Sequence, residues 1–257
     1  MKPDRLFLKH LSHTSWLKVC RRSDPELNQC MSDLLLDMFP YLAAGVPELN
    51  IESFEPLHLD KVSISKGHGP IVLTGSLFDM EVFGPSNSTP TYTDMNLTEH
   101  KWNFGVNLPM LDIKSRYNMK GHILVLPLVG HGNCELKLYD IKTKVHTNFS
   151  MPIKNGREIL SVDQMKVQFS VGHMRIKLYN LFNGNKVLGK YNYGETVNNF
   201  INKNAMEIIQ ELEESINQSM ADIFIHLLNN IFAKLPTDLW LLSDEQFVEY
   251  ERRKQSE

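Results

Sequence analysis

The chain has 257 residues, a formal net charge of −3 and 42% hydrophobic residues, an ordinary globular composition that excludes wholesale disorder. No basic stripe with interleaved aromatic residues occurs, so we expect no nucleic-acid partner. The longest apolar run, residues 123–129, is far shorter than the roughly 20 residues of a membrane span, so we expect no stable membrane insertion.

The N-terminal segment gives no sign of export. Its longest apolar run is Leu6 to Leu8, whereas a signal peptide needs about 7–15 apolar residues. Two other features favour an extracellular protein. Cys20 and Cys30 bracket a short stretch that suits a local disulfide, and four Asn-x-Ser/Thr sequons provide candidate glycosylation sites at Asn87, Asn96, Asn148 and Asn217.

The first half of the chain predicts a helix followed by a sheet. Apolar residues at helical spacing predict a helix over residues 26–43, which Pro40 should kink or shorten. Residues 59–182 alternate with period two, which predicts an antiparallel meander with one wet face. In this region one strand should place Val72, Thr74, Ser76, Phe78, Met80 and Val82 on a single face. The stretch 122–129 is apolar on both faces and should be covered on both.

Residues 196–235 contain neither Pro nor Gly, and their apolar positions recur every three or four residues. This pattern predicts one helix of about 40 residues, about 60 Å long. A compact chain of this size would be only about 45–50 Å across, so the helix must bend or break, or the domain must be elongated. The fold class is therefore α+β, a long antiparallel sheet curled around one long C-terminal helix. Periodicity does not distinguish a hollow interior from a filled one.

No catalytic or metal-binding constellation emerges from the sequence. Residues 184–191 resemble a phosphate-binding loop, but Tyr191 stands where Ser or Thr is needed, so we interpret them as a hairpin turn. His131 and Cys134 could form half a metal site, but no second pair lies nearby, and we expect a turn and a buried thiol. His226 is interpreted as a satisfied interior or edge residue. We therefore expect no enzyme activity, no metal and no cofactor.

Two blocks of the sequence carry a resemblance. The first runs from the cysteine pair to a Pro-Leu pair and comprises Cys20, Asp24-Pro25, Leu27-Asn28, Cys30, Pro40, Gly45-Val46-Pro47-Glu48-Leu49 and Glu55-Pro56-Leu57. The second follows the long helix and comprises Gly194, Asn198-Asn199-Phe200-Ile201-Asn202, Asn204, Glu207-Ile208, Ile231-Phe232 and Pro236-Thr237-Asp238. Together they resemble the insect takeout and haemolymph juvenile-hormone-binding protein family. The chain departs from that family at Ala205, where Trp is usual, and in having Cys134 without a partner for a second disulfide.

The resemblance implies a single elongated domain of the tubular lipid-binding type over residues 20–242. Residues 1–19 would be a disordered or wrongly assigned N-terminus, and residues 243–257 a charged tail. The resemblance implies a secreted monomer that carries a terpenoid hormone, fatty acid or related lipid in an internal apolar tunnel. We expect the tunnel lining to include Phe78, Met80, Phe169, Val171, Phe200, Ile208, Leu212 and Ile216.

Two alternatives remain. A filled core would instead indicate a non-enzymatic interaction or signalling protein. A hydrolase of lipid esters is disfavoured because no nucleophile constellation is present.

Overall fold

The computed structural model describes residues 17–184 and 193–255. In these ranges the helices are α1 (Leu27–Ala44), α2 (Tyr193–Lys203), α3 (Ala205–Phe232) and α4 (Asp244–Lys254). The strands are β1 (Cys20–Arg21), β2 (Leu57–Lys66), β3 (Ile71–Phe83), β4 (Thr89–Asn96), β5 (Lys101–Ile123), β6 (Leu126–Ser150), β7 (Ile153–Lys154), β8 (Arg157–Glu158), β9 (Ser161–Ser170), β10 (His173–Leu178) and β11 (Leu241–Leu242).

The main sheet is antiparallel and is built on one long hairpin, β5 and β6. Along one half of this hairpin the strand order is β10-β6-β5-β3-β2. Along the other half β4 pairs with β5, and β9 pairs with β6. The described sheet therefore has a five-stranded part and a four-stranded part that share the same two central strands. The antiparallel sheet and the long C-terminal helix that the sequence predicted are confirmed.

The predicted single long helix is divided in two at Asn204. The Asn204 side-chain amide donates a hydrogen bond to the carbonyl of Phe200 at 2.8 Å, and the residue itself is the N-cap of α3. Such a local bond competes with helical backbone bonding, which accounts for the interruption. The prediction of one unbroken helix is wrong. A break is one of the alternatives that the length of the helix predicts.

Helix α1 matches its prediction closely but is not shortened by proline. It continues through Pro40 to Ala44. Pro40 lacks an N–H, so the carbonyl of Leu36 loses its donor one turn earlier. The Leu36 side chain is exposed, so this part of the helix faces outwards, where water can replace the lost donor.

The expectation that the even-numbered residues 72–82 of β3 share a single face is also wrong. Leu73, Leu77, Met80 and Val82 are buried, so the inward positions change from odd to even between Leu77 and Met80. The change coincides with a register shift against β5 and with a positive φ of 48° at Asp79. A β-bulge adds one residue and exchanges the two faces beyond it.

The stretch 122–129 is not covered on both faces. It contains the turn of the β5–β6 hairpin, where Ile123 pairs with Leu126 across Leu124 and Val125. Val125 is 87% exposed. The apolar run of this segment therefore ends in solvent.

Asparagine side chains join the helices to the edges of the sheet. The Asn202 side chain accepts a bond from the N–H of Ile176 and donates one to its carbonyl, both at 2.8 Å. Asn198 bonds the backbone of Leu178 in the same way, and Asn229 that of Val162. These amides satisfy edge positions of β10 and β9 that would otherwise be open to another strand.

The first and last strands of the described chain pair with each other. β1 pairs in parallel with β11, and the Cys20–Cys30 disulfide joins β1 to α1. The charged tail beyond residue 243 folds as α4, whose N-terminus has a capping box formed by Ser243 and Gln246. The guanidinium of Arg21 lies 5.7 Å from the centre of the Phe247 ring, so α4 contacts the domain.

Candidate functional site

In the described part of the chain, the apolar interior consists of two clusters, one beneath each part of the sheet. The first cluster lies under the four-stranded part and includes side chains from α1, β4, β9 and the end of α3. Its centre is aromatic, because the Phe232 ring lies 6.1 Å from Trp102 and 5.6 Å from Trp240. The second cluster lies under the five-stranded part and includes α2 and the start of α3.

Helix α3 passes from one cluster to the other and turns its buried face as it does so. Leu212 is buried in the second cluster, and Ala221 is buried in the first. These residues are nine positions apart, which is about two and a half turns, so they lie on opposite faces of the helix. The helix therefore contributes apolar surface along its whole length, although each half uses a different face.

Five of the eight predicted lining residues come together in the second cluster. Met80, Ile208 and Leu212 are buried there, and Phe200 and Ile216 pack against it while remaining half-buried. These five come from β3, α2 and α3. The interior of the five-stranded part is therefore where the sequence-predicted site residues converge.

The other three predicted lining residues lie elsewhere. Phe169 is half-buried and Val171 is buried, on the same side of the chain as Val167 of the first cluster, but both lie outside the two clusters. Phe78 lies on the outer face of β3, where the Lys61 ammonium is 5.6 Å from its ring centre. The bulge at Asp79 explains this position, so Phe78 does not belong to the interior.

Many apolar side chains that pack between helix and sheet are only half-buried. On β2, Val62 and Ile64 alternate with exposed serines and pack against the second cluster, but neither is fully enclosed. The same holds for Leu136, Leu138, Ile176, Ile209 and Ile216 in the second cluster, and for Met220, Phe224, Leu228 and Ile231 in the first. These side chains pack against the clusters but are not enclosed by them. Apolar surface therefore remains accessible along the helix.

The polar groups in the second cluster are neutral. Burial raises the pKa of the Cys134 thiol to about 11 and that of the Tyr117 hydroxyl to about 12. Tyr117 donates a hydrogen bond to the carbonyl of Tyr179 at 2.6 Å. At neutral pH both groups keep their protons, so they add no charge to this apolar interior.

Within residues 17–184 and 193–255, no group of three or more His, Cys, Asp or Glu side chains is placed to hold a metal ion. His131 is exposed whereas Cys134 is buried, because positions three apart on a strand point to opposite faces. His226 is exposed on α3. Apart from Gly184 at its start, the phosphate-loop lookalike lies outside the described residues. No helix among those described is both long and apolar enough to cross a bilayer.

The sequence missed the β2 contribution to this interior, although the signal was present. The period-two alternation of residues 59–182 includes Val62 and Ile64, but alternation alone does not indicate that an edge strand faces the helix. The contacts that place it there are hydrogen bonds, from the Ser65 N–H to Ser215 and from the Ser219 hydroxyl to the Ser63 carbonyl.

Comparisons with known proteins agree with this architecture. The model of the family described as "Haemolymph juvenile hormone binding protein (JHBP)" matches residues 7–242. The circadian clock-controlled protein daywake of Drosophila melanogaster is 25% identical over 231 residues, which is 86% of this chain and 85% of that protein. The daywake protein of Drosophila yakuba is 22% identical over the same shares. The crystal structure of Epiphyas postvittana Takeout 1 superposes with a TM-score of 0.73 at 23% identity, covering 89% of this chain and all of that one.

Proposed function

Because this chain belongs to the haemolymph juvenile hormone binding protein family, we propose that it is a non-enzymatic carrier of a small hydrophobic ligand. The ligand occupies the apolar interior between the sheet and α3. The observation that carries this proposal is the incomplete burial of the apolar side chains along the helix, Val62, Ile64 and Ile216 among them. An apolar guest would cover that surface and gain the free energy of its burial.

The chemistry of the interior restricts the ligand. The two clusters consist of apolar side chains, and the nearby thiol and phenol are neutral at physiological pH. A buried charge without a partner is strongly disfavoured. The ligand body is therefore an extended hydrocarbon, as in a terpenoid or acyl chain, and any ionised group on it stays outside the clusters.

We also propose that the protein works outside the cell. The Cys20–Cys30 disulfide suits an oxidising compartment. Three sequon asparagines, Asn87, Asn96 and Asn148, have exposed side chains on which a glycan could be attached. Asn217 is a poorer acceptor because it lies within α3 and its Oδ1 is enclosed. Its sequon is expected to remain unmodified.

Filling the interior tests the proposal. Ile216→Trp adds bulk at a half-buried position on the inner face of α3, so it should weaken binding of a fluorescent fatty-acid or terpenoid probe by about tenfold or more. Met206→Trp is the matched control, because Met206 lies on the same helix but is 46% exposed. Its affinity should equal that of the parent.

Probe binding by titration and thermal melting should be measured on all three proteins. If the parent takes up no apolar probe, the interior is filled and the interaction-protein alternative is favoured. Equal affinity for the parent and a folded Ile216→Trp variant would place the ligand elsewhere.

A further inference from the structure

The turn of the β5–β6 hairpin carries the most exposed large apolar side chain in the described part of the chain. Val125 is 87% exposed, and the next residue but one, Pro127, is exposed as well. Leu124 and Leu126 on either side are half-buried against the second cluster. A single exposed valine is unremarkable in itself, but here it stands at the end of an apolar run.

The backbone of this turn is also unusual for its sequence. Leu124 has a φ of 53°, in the left-handed region that favours Gly or Asn. Two-residue hairpin turns prefer Asn-Gly, and the β7–β8 hairpin of this same chain uses Asn155-Gly156 at φ values of 52° and 77°. The β5–β6 turn has Leu-Val instead. Leu124 therefore sits in an unfavourable backbone conformation, and Val125 exposes apolar surface that the described part of the chain does not cover.

The two chain segments around the turn carry basic side chains and no carboxylate of their own, although the Glu211 carboxylate of α3 reaches them. The Leu124 N–H donates to the carbonyl of Pro70 at 2.8 Å, which joins this turn to the β2–β3 loop in one tip. The segments 66–74 and 118–131 that form the tip contain no Asp or Glu. They carry Lys66, Lys120, His68, His122 and His131. Lys66 is paired with the Glu211 carboxylate at 2.7 Å, which leaves Lys120 as the exposed ammonium of these segments.

Apolar contact continues from the tip into the molecule. Ile71, Ile123 and Leu128 lie directly behind the turn and are buried in the second cluster, against which Leu124 and Leu126 pack. An apolar end of two or three residues, with polar and basic flanks behind it, matches the depth profile of the bilayer interface. Hydrocarbon lies innermost there and anionic headgroups lie above it.

We propose that the Leu124-Val125 tip docks reversibly on lipid bilayers that contain anionic headgroups. Leu124 and Val125 enter the boundary between headgroups and acyl chains, while Lys120 remains among the phosphates. The protein thus binds the membrane peripherally and reversibly, and no segment of it spans the bilayer in this proposal. Docking does not require the carrier function. If the proposed function also holds, the tip is the end at which ligand passes between bilayer and interior.

Vesicle flotation of the full chain tests this proposal. The parent should float with phosphatidylcholine vesicles that contain phosphatidylserine, and less with phosphatidylcholine alone. Val125→Asp should reduce binding by about tenfold, because a charge replaces an apolar anchor. Lys120→Glu should remove most of the preference for phosphatidylserine. Both positions are exposed, so the fold should survive, and thermal melting checks this.

Ile153→Asp provides a matched control. Ile153 is 70% exposed beside Lys154, in a hairpin that follows the far end of β6. That end is about 80 Å away along the 25-residue strand at about 3.3 Å per residue. This variant should bind vesicles like the parent. Equal losses of vesicle binding for Ile153→Asp and Val125→Asp would overturn the proposal that binding is specific to the Leu124-Val125 tip.

Absence of vesicle binding by the parent would also overturn the proposal and would favour a protein as the partner of the tip. Probe uptake in solution by Val125→Asp should equal that of the parent. Failure of uptake in the parent counts against the carrier function, whereas failure of flotation counts against docking.

Discussion

Single residues determine where a strand bulges and where a helix is interrupted in this protein. Asp79 bulges β3 and turns Phe78 outwards, and Asn204 divides the long helix. The sequence predicted the strand and the helical stretch, and the length of the helix predicted a break as one possibility. It did not indicate the position of the break, and it did not predict the bulge. A bulge leaves no mark on a period-two pattern until the two faces are compared with a partner strand. Asn within a helical pattern is common enough to give no warning of a break.

At the same scale, the buried Cys134 thiol predicts how stability changes with pH. Its pKa is raised to about 11 by burial, from an ordinary value near 9, so the folded state holds this proton more tightly than the unfolded state does. The stabilisation is complete below about pH 9 and is lost as pH rises through about 11. We expect the free energy of unfolding to fall by about 2–3 kcal/mol over this window.

Urea unfolding at a series of pH values measures that slope. Tyr117 adds a similar loss between about pH 10 and pH 12, because burial raises its pKa to about 12. Cys134→Ala should therefore remove the decline between about pH 9 and pH 10 and reduce it between about pH 10 and pH 11, where Tyr117 still contributes. An equally steep decline in that variant would show that the thiol proton is not the cause.

At the scale of elements, the sequence pattern predicted the type of most elements but not how the strands pair. The alternating residues 59–182 became strands, and the interval 26–43 became α1. Alternation could not reveal that β5 and β6, besides pairing with each other, each pair with two further strands, because hydrogen-bond partners are set by tertiary contacts. The asparagines of the second sequence block have an explanation that the pattern alone did not offer. Asn198 and Asn202 bond the backbone of β10, so they attach α2 to the sheet edge.

Replacing one of these amides tests their contribution to stability. Asn202→Leu leaves the N–H and carbonyl of Ile176 without their partners, which should cost about 1–3 kcal/mol of unfolding free energy. Asn199→Leu is the matched control, since Asn199 is the exposed residue between Asn198 and Phe200. Urea melts should separate the two variants. Equal stability would mean that water replaces the amide at no cost and that these hydrogen bonds do not contribute to the free energy of unfolding.

At the scale of the whole molecule, the helix and the sheet enclose two apolar clusters rather than one uniform core. The prediction of a sheet curled around a helix is confirmed, and five of the eight proposed lining residues share the second cluster. Whether a sequence leaves room for a guest depends on how completely its side chains fill the enclosed volume. Hydrophobic periodicity is the same in both cases, so the half-burial of Val62, Ile64 and Ile216 could not be foreseen.

We propose that this interior holds an apolar ligand, and the most direct test is to find that ligand bound to the protein. The chain should be secreted from insect cells behind an added leader, with an unrelated secreted protein as control. Native mass spectrometry of the intact protein, followed by mass spectrometry of its organic extract, measures both stoichiometry and identity. We predict one terpenoid or acyl lipid per chain, absent from the control. A protein with no bound lipid that also takes up none of the apolar probes would contradict the claim.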